Sequence, residues 1–290
     1  MTEVNDRADH QQRGSILITG CSSGIGLNAA ATLGARGWRV IASCRKEEDC
    51  ERIRQTGLES IRLDYCDEGS IAEALDWTLE QTGGRLDAIY NNGAYAVPGA
   101  VEDLPREALR EIFECNFFGY HDLTTRVIRI MRAQGSGRIV NCSSILGFVT
   151  LPLRGAYNST KYALEGLTDT MRIELAGSGI HVSLIEPGPI SSRIRENSRS
   201  HFEKWIKPEQ SVHAQLYREK LIPRLYQENV PKDRFELPPE AVTRKLIHAL
   251  ESGTPRPRYY VTTPPYIMGA LKRVLSTRAL DRLIRRMGPL

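Results

Sequence analysis

Tyr157 and Lys161 stand four residues apart in Tyr157-Asn-Ser-Thr-Lys161, and the helical stretch that continues through Ala163, Leu164 and Leu167 puts phenol and ammonium on one face. A phenol titrates near pH 10, and a nearby cation favours its ionised form, bringing it into range for proton transfer. Such transfer is worth roughly 10²–10⁴ in rate. None of the other ten tyrosines has a lysine four residues on, yet the pair alone is common on exposed helix surfaces. Two further residues give it weight. Ser144 precedes Tyr157 by 13 residues, after an apolar run, where its hydroxyl can hold a carbonyl oxygen beside the phenol. Asn116, in Phe113-Glu-Cys-Asn116-Phe-Phe-Gly119, interrupts an otherwise amphipathic helix at a cost in helix propensity. A buried structural hydrogen bond accounts for it equally well.

A second constellation lies upstream, in Thr19-Gly-Cys-Ser-Ser-Gly-Ile-Gly26, between a β-branched run and an Ala-rich helical stretch. Gly20, Gly24 and Gly26 allow a sharp turn and close backbone approach to a pyrophosphate, with free N–H groups at the helix start facing the anion. Ser22 and Ser23 supply hydroxyls or cap the helix, and Ile25 lies between the last two glycines. At the end of the second strand, where an acid would accept from a ribose 2′-OH, the chain has Arg45 and Lys46. Two cations there suit a 2′-phosphate and predict NADP(H) as the cofactor.

The elements that must position these groups alternate in a βαβ pattern. Strands are expected at 15–19, 38–43, 60–64, 87–91, 138–142 and 181–185, with a last one at 259–262. The fold class is therefore α/β: a doubly wound parallel sheet of about seven strands with helices on both faces, and ligands at the carboxyl edge. Residues 189–239 are polar with scattered aromatics and are expected to form helices outside the sheet. A helix near 239–251 follows. The organisation expected is a polar leader over 1–14, one catalytic domain over 15–264 and a basic amphipathic tail over 265–290.

Taken together, these motifs closely resemble the short-chain dehydrogenase/reductase family over roughly Ser15 to Tyr260, a family of Rossmann type. Its glycine motif is met by Thr19, Gly20, Gly24, Ile25 and Gly26. Its catalytic tetrad is met by Asn116, Ser144, Tyr157 and Lys161, and its Pro-Gly segment by Pro187 and Gly188. The resemblance implies hydride transfer between a nicotinamide and a carbonyl or carbinol carbon. Tyr157 is then the general acid and base, and Ser144 steadies the oxygen. Lys161 lowers the Tyr157 pKa and holds the nicotinamide ribose, and Asn116 anchors a water leading to Lys161. It further implies that Asp64 contacts adenine, that Asn91 lines the cofactor ribose, and that Ile190, with Ser191, touches the carboxamide. One departure is Asn91-Asn92-Gly93-Ala94 in place of Asn-Asn-Ala-Gly, which puts the cofactor contact of Gly93 in doubt. The chain is most similar to the branch of hydroxysteroid and retinol dehydrogenases and bacterial NADP-dependent aldehyde reductases. Dimers or tetramers are common in the family, so a homo-oligomer is expected.

The run from Ile145 to Leu153 is strongly apolar. It is either core or the wall of a pocket for a lipophilic alcohol, aldehyde or ketone, which fits it better than a sugar or an acid. Past Pro265, apolar residues recur on a helical period with arginines opposite. Such a helix can lie on an anionic membrane surface, cover a substrate mouth, or dock on the body or another subunit. The 290 residues carry a net charge of +4, of which the segment Lys272 to Arg286 holds +5, leaving a body of −1. A near-neutral body argues against nucleic acid as a partner. Six cysteines without a C-x-x-C pair suggest neither a metal site nor a disulfide framework. With no apolar window of about 18 residues, a cytoplasmic protein is expected, peripherally membrane-associated if the tail binds lipid. Two rival readings are a non-catalytic NADP(H) sensor, which the intact Ser144, Tyr157 and Lys161 argue against, and a membrane-surface interaction protein, which leaves their spacing unexplained.

Overall fold

The computed structural model describes residues 13–227 and 233–287. Residues 1–12 of the expected leader and the last three of the tail lie outside the described residues.

Seven short strands form one parallel sheet: β1 Ser15–Ile18, β2 Arg39–Cys44, β3 Glu59–Arg62, β4 Ala88–Asn91, β5 Gly137–Cys142, β6 Ile180–Pro187 and β7 Arg258–Val261. Their order is β3-β2-β1-β4-β5-β6-β7, so the winding reverses between β1 and β4. A crevice opens at such a reversal, outside the carboxyl ends of the strands. Every strand falls within two residues of its expected place. Parallel strands covered on both faces read as short apolar runs, and β1 shows why. Ile16 and Ile18 enter the core on one face, with helix α1 (Gly24–Ala35), while Leu17 enters the opposite core.

Helices α2 (Glu47–Arg54) and α3 (Glu68–Gln81) complete the first half. After β4, α4 (Arg106–Phe113) runs through a π turn at Glu114–Phe118 into α5 (Gly119–Gln134). The catalytic motif rides on α6 (Gly155–Glu174), which follows β5. The excursion expected outside the sheet contains α7 (Ile194–Trp205), α8 (Ala214–Leu216) and α9 (Ile222–Tyr226). It leaves and rejoins the body at one point, where Ile190 bridges Leu237. Helix α10 (Glu240–Glu251) packs beside α1 and leads to β7.

The tail differs from the single helical period its sequence suggests. It forms α11 (Thr263–Val274) and α12 (Thr277–Met287). Ser276 starts the second helix, its carbonyl accepting from Ala279 N at 3.0 Å, so the apolar stripe folds back on itself. Met268 and Ile284 are buried against Val149, with Leu271, Leu280 and Leu283 packing on Ile145, Phe148 and Leu151. The tail thus docks on the segment that follows Ser144. Among the described residues, no helix is long and apolar enough to cross a membrane.

Candidate active site

The glycine loop is shaped as its sequence demands. Gly20 and Gly24 have φ of +69° and +58°, a region that disfavours side chains. A Cβ on Gly20 would lie 2.5 Å from Gly93 Cα, and one on Gly26 would lie 2.4 Å from the Gly20 carbonyl oxygen. Gly93 is therefore the floor against which the loop closes, and the reordered Asn91-Asn92-Gly93-Ala94 keeps a glycine at the point of closest approach. Ser22, Ser23 and Ile25 are half-buried along the loop. Ser23 is the N-cap of α1, yet its side chain caps nothing and the first turn holds no acid. The leading N–H groups of α1 are thus left for an anion. This cradle fits a dinucleotide pyrophosphate.

Thr19 and Asn92, which the glycine spacing does not reveal as a pair, lace the two sides together. Thr19 Oγ1 accepts from Asn92 N at 2.9 Å, and Asn92 Nδ2 donates to the Thr19 carbonyl at 3.1 Å. Beyond β2, Arg45 and Lys46 are exposed, and among the described residues neither forms an ion pair. Arg52, absent from the sequence reading, donates to the Ser22 carbonyl at 2.7 Å and is paired with Asp49, also at 2.7 Å. Asp64 is half-buried and accepts from Cys66 N at 3.0 Å, leaving its second carboxylate oxygen for a ligand. At the far end, Gly188 N donates to the Val261 carbonyl at 3.0 Å, following buried Pro187. Ile190 is half-buried, and Ser191 donates to Glu236 Oε1 at 2.5 Å.

Two expected residues have side chains already engaged in the interior. Asn91 is fully buried; its amide donates to Thr124 at 2.9 Å and to Asn141 at 2.8 Å, and its oxygen accepts from Tyr65 at 2.8 Å. With every polar atom of its side chain used in the interior, the side chain braces β4 to β5, and a contact with the ribose would fall to the Asn91 backbone at the carboxyl end of the strand. The side chain of Asn116 is likewise spent. The π turn presents it to Tyr95, whose N–H it accepts at 3.1 Å and whose carbonyl it meets at 2.8 Å. A water held toward Lys161 would have to use the Asn116 backbone.

Ser144, Tyr157 and Lys161 do come together at the carboxyl ends of β5 and β6. Ser144 Oγ accepts from Leu146 N at 3.1 Å, which leaves its O–H free to turn. Its hydroxyl pulls the Tyr157 pKa down. Burial is the larger influence, however, and holds Tyr157 well above the ordinary phenol value. Arg154, three residues earlier, adds a cation that also pulls the Tyr157 pKa down. Lys161, expected in that role, donates to the Cys142 carbonyl at 2.7 Å with its ammonium 5.6 Å from the Tyr157 ring centre. Burial pushes the Lys161 pKa down. The phenol is therefore kept protonated, which suits it to give a proton to a carbonyl oxygen.

The apolar run after Ser144 divides. Ile145, Phe148, Val149 and Leu151 serve the tail, and Leu153 packs under α7 and α9. Leu146 stays with Tyr157, in a cluster that includes Tyr95 and Trp205, neither of which sequence spacing singled out. His201 stacks on Tyr95 at 3.8 Å.

Comparison with known proteins agrees with this geometry. Residues 15–203 match the family model described as short chain dehydrogenase. The chain is 39% identical over 272 residues to the uncharacterized oxidoreductase YbbO of Escherichia coli strain K12, covering 93% of this chain and 94% of that protein. It is 33% identical over 254 residues to human retinol dehydrogenase 16, covering 84% and 79%. A solved short-chain dehydrogenase from Streptomyces avermitilis superposes with a TM-score of 0.74 at 27% identity, covering 94% of this chain and 97% of that one.

Proposed function

The chain belongs to the short-chain dehydrogenase family, and from that premise we propose an NADP(H)-dependent oxidoreductase that interconverts a lipophilic alcohol and its aldehyde or ketone. The observation that carries this reading is the buried Tyr157 phenol with Ser144 and Lys161 near it, at the sheet edge that also holds the glycine cradle. A bound dinucleotide supplies or accepts the hydride. In reduction, Tyr157 gives its proton to the nascent alkoxide while Ser144 holds that oxygen; oxidation reverses both steps. Lys161, fixed by the Cys142 carbonyl in the same wall, steadies the negative charge left on the phenol.

Preference for NADP(H) rests on Arg45 and Lys46, two exposed cations at the end of β2 where NAD-binding chains place an acid. Preference for a lipophilic substrate rests on Leu146, Tyr95 and Trp205 beside the phenol. The decisive experiment follows NADPH and NADH oxidation with long-chain aldehydes, retinal and oxosteroids. At least one lipophilic carbonyl is reduced, faster with NADPH; failure with the whole panel rejects the assignment.

A further inference from the structure

Arg154 immediately precedes α6, one turn before Tyr157, and Arg195 and Arg224 lie on α7 and α9. All three are half-buried, and among the described residues none of their side chains forms a hydrogen bond or ion pair. This is unlike the treatment of Arg258, which sits among Glu165, Glu186 and Asp169.

The three guanidinium groups lie near enough to repel one another. Arg154 is brought down to about 10, by burial first and then by Arg224 and Arg195, while burial and then Arg224 lower Arg195. Packing brings the segments that carry them together. Leu153 holds φ at +60°, its carbonyl accepts from Gly99 N at 3.0 Å, and its side chain packs with Phe202 of α7 and Leu225 of α9. Helix α6 has no acid in its first turn, so its N-terminus adds to the positive field. Glu236 is the carboxylate whose field reaches Arg195, and it already accepts from Ser191.

Like charges gathered partly out of water oppose folding unless an anion joins them. We propose that the substrate carries an oxyanion, a carboxylate or phosphate, which Arg154, Arg195 and Arg224 hold a few atoms from the carbon that reacts beside Tyr157. The substrate class becomes an acidic amphiphile, with an apolar chain along Leu146 and Trp205 and its acid on the arginines. This rests on the oxidoreductase reading above and narrows it. Guanidinium suits the task, because its planar fork meets two oxygens at once.

The test uses full-length protein with NADPH and straight-chain oxo acids whose carboxylate stands progressively farther from the carbonyl, each paired with its methyl ester. Phosphate monoesters of matching hydroxyketones distinguish phosphate from carboxylate. The best acid exceeds its ester in kcat/KM by about tenfold or more, as charge-assisted hydrogen bonds imply, and high salt narrows the gap. Arg195→Met and Arg224→Met bring the acid-to-ester ratio close to one, and the lysine variants keep part of it. Equal kcat/KM for acid and ester in the wild type overturns the proposal without touching the enzyme assignment, and needs no variant to fold. Weakened NADPH binding in the variants with an unchanged ratio also overturns it, giving the cluster to the coenzyme. Absence of turnover with acids, esters and simple aldehydes alike rejects the underlying reading as well.

Discussion

Tyr157 is pulled in two directions, upward by burial and downward by the Ser144 hydroxyl and the Arg154 charge. Alcohol oxidation needs the phenolate, so its rate rises as pH climbs through the Tyr157 pKa, whereas carbonyl reduction needs the phenol and fades there. Removing the cation in Arg154→Met raises that pKa further. The ascending limb of kcat/KM for alcohol oxidation therefore moves to higher pH, and an unmoved limb denies Arg154 any hold on the phenol. Asn91 carries a prediction of another kind. Asn91→Ala takes the partner from Thr124 Oγ1 and Asn141 Oδ1 in the interior, while Tyr65 keeps Thr19, and at about 1–3 kcal/mol for each orphaned group it costs a few kcal/mol of stability in urea unfolding. At this scale the sequence was legible in part. Tyr157, Lys161 and Ser144 announce themselves by spacing. The direction of an amide does not, since the neighbours that claim Asn91 and Asn116 come from distant segments. Arg154 was missed because its weight comes from burial and from Arg195 and Arg224, neither of which is adjacent in the chain.

Among the elements, the strands were legible because a parallel sheet with two covered faces leaves apolar runs between turns. The π turn at Glu114–Phe118 was not, for one extra residue per turn leaves no mark on composition. The division of the tail at Ser276 escaped for a similar reason, since both helices continue one apolar period. The docked tail yields a prediction. Ile284 is 6% exposed in the cluster around Val149, and truncation of a buried isoleucine costs about 2–5 kcal/mol. Ile284→Ala loosens α12 from the segment after Ser144, so hydrogen exchange in α12 accelerates while exchange in β1 stays slow. Equal acceleration in both would show that the tail is integral to the core.

For the molecule as a whole, the sequence located the charge excess in the tail and led to the expectation of ligands at the carboxyl edge of the strands. It could not show how buried charge is balanced. Glu186 is fully buried beside Glu165, both gripped by Arg258. Burial, then repulsion from Glu165, lifts Glu186 from 4.5 to about 8. A carboxyl whose folded value is raised favours folding while protonated. That contribution is complete below about pH 4.5 and is lost as pH rises to about 8, on the order of a few kcal/mol. Glu186→Gln keeps the protonated shape, so its unfolding free energy declines less than that of the wild type between these limits; parallel curves would contradict the burial argument.

The central claim is that Tyr157 delivers the proton beside bound coenzyme, and Tyr157→Phe tests it most directly. NADPH binding, followed by fluorescence, and reduction of the best lipophilic carbonyl are measured on the same preparation. The account predicts binding within a few-fold of the wild type and a rate lower by about 10²–10⁴. A variant that binds NADPH and turns over at the parental rate would contradict it.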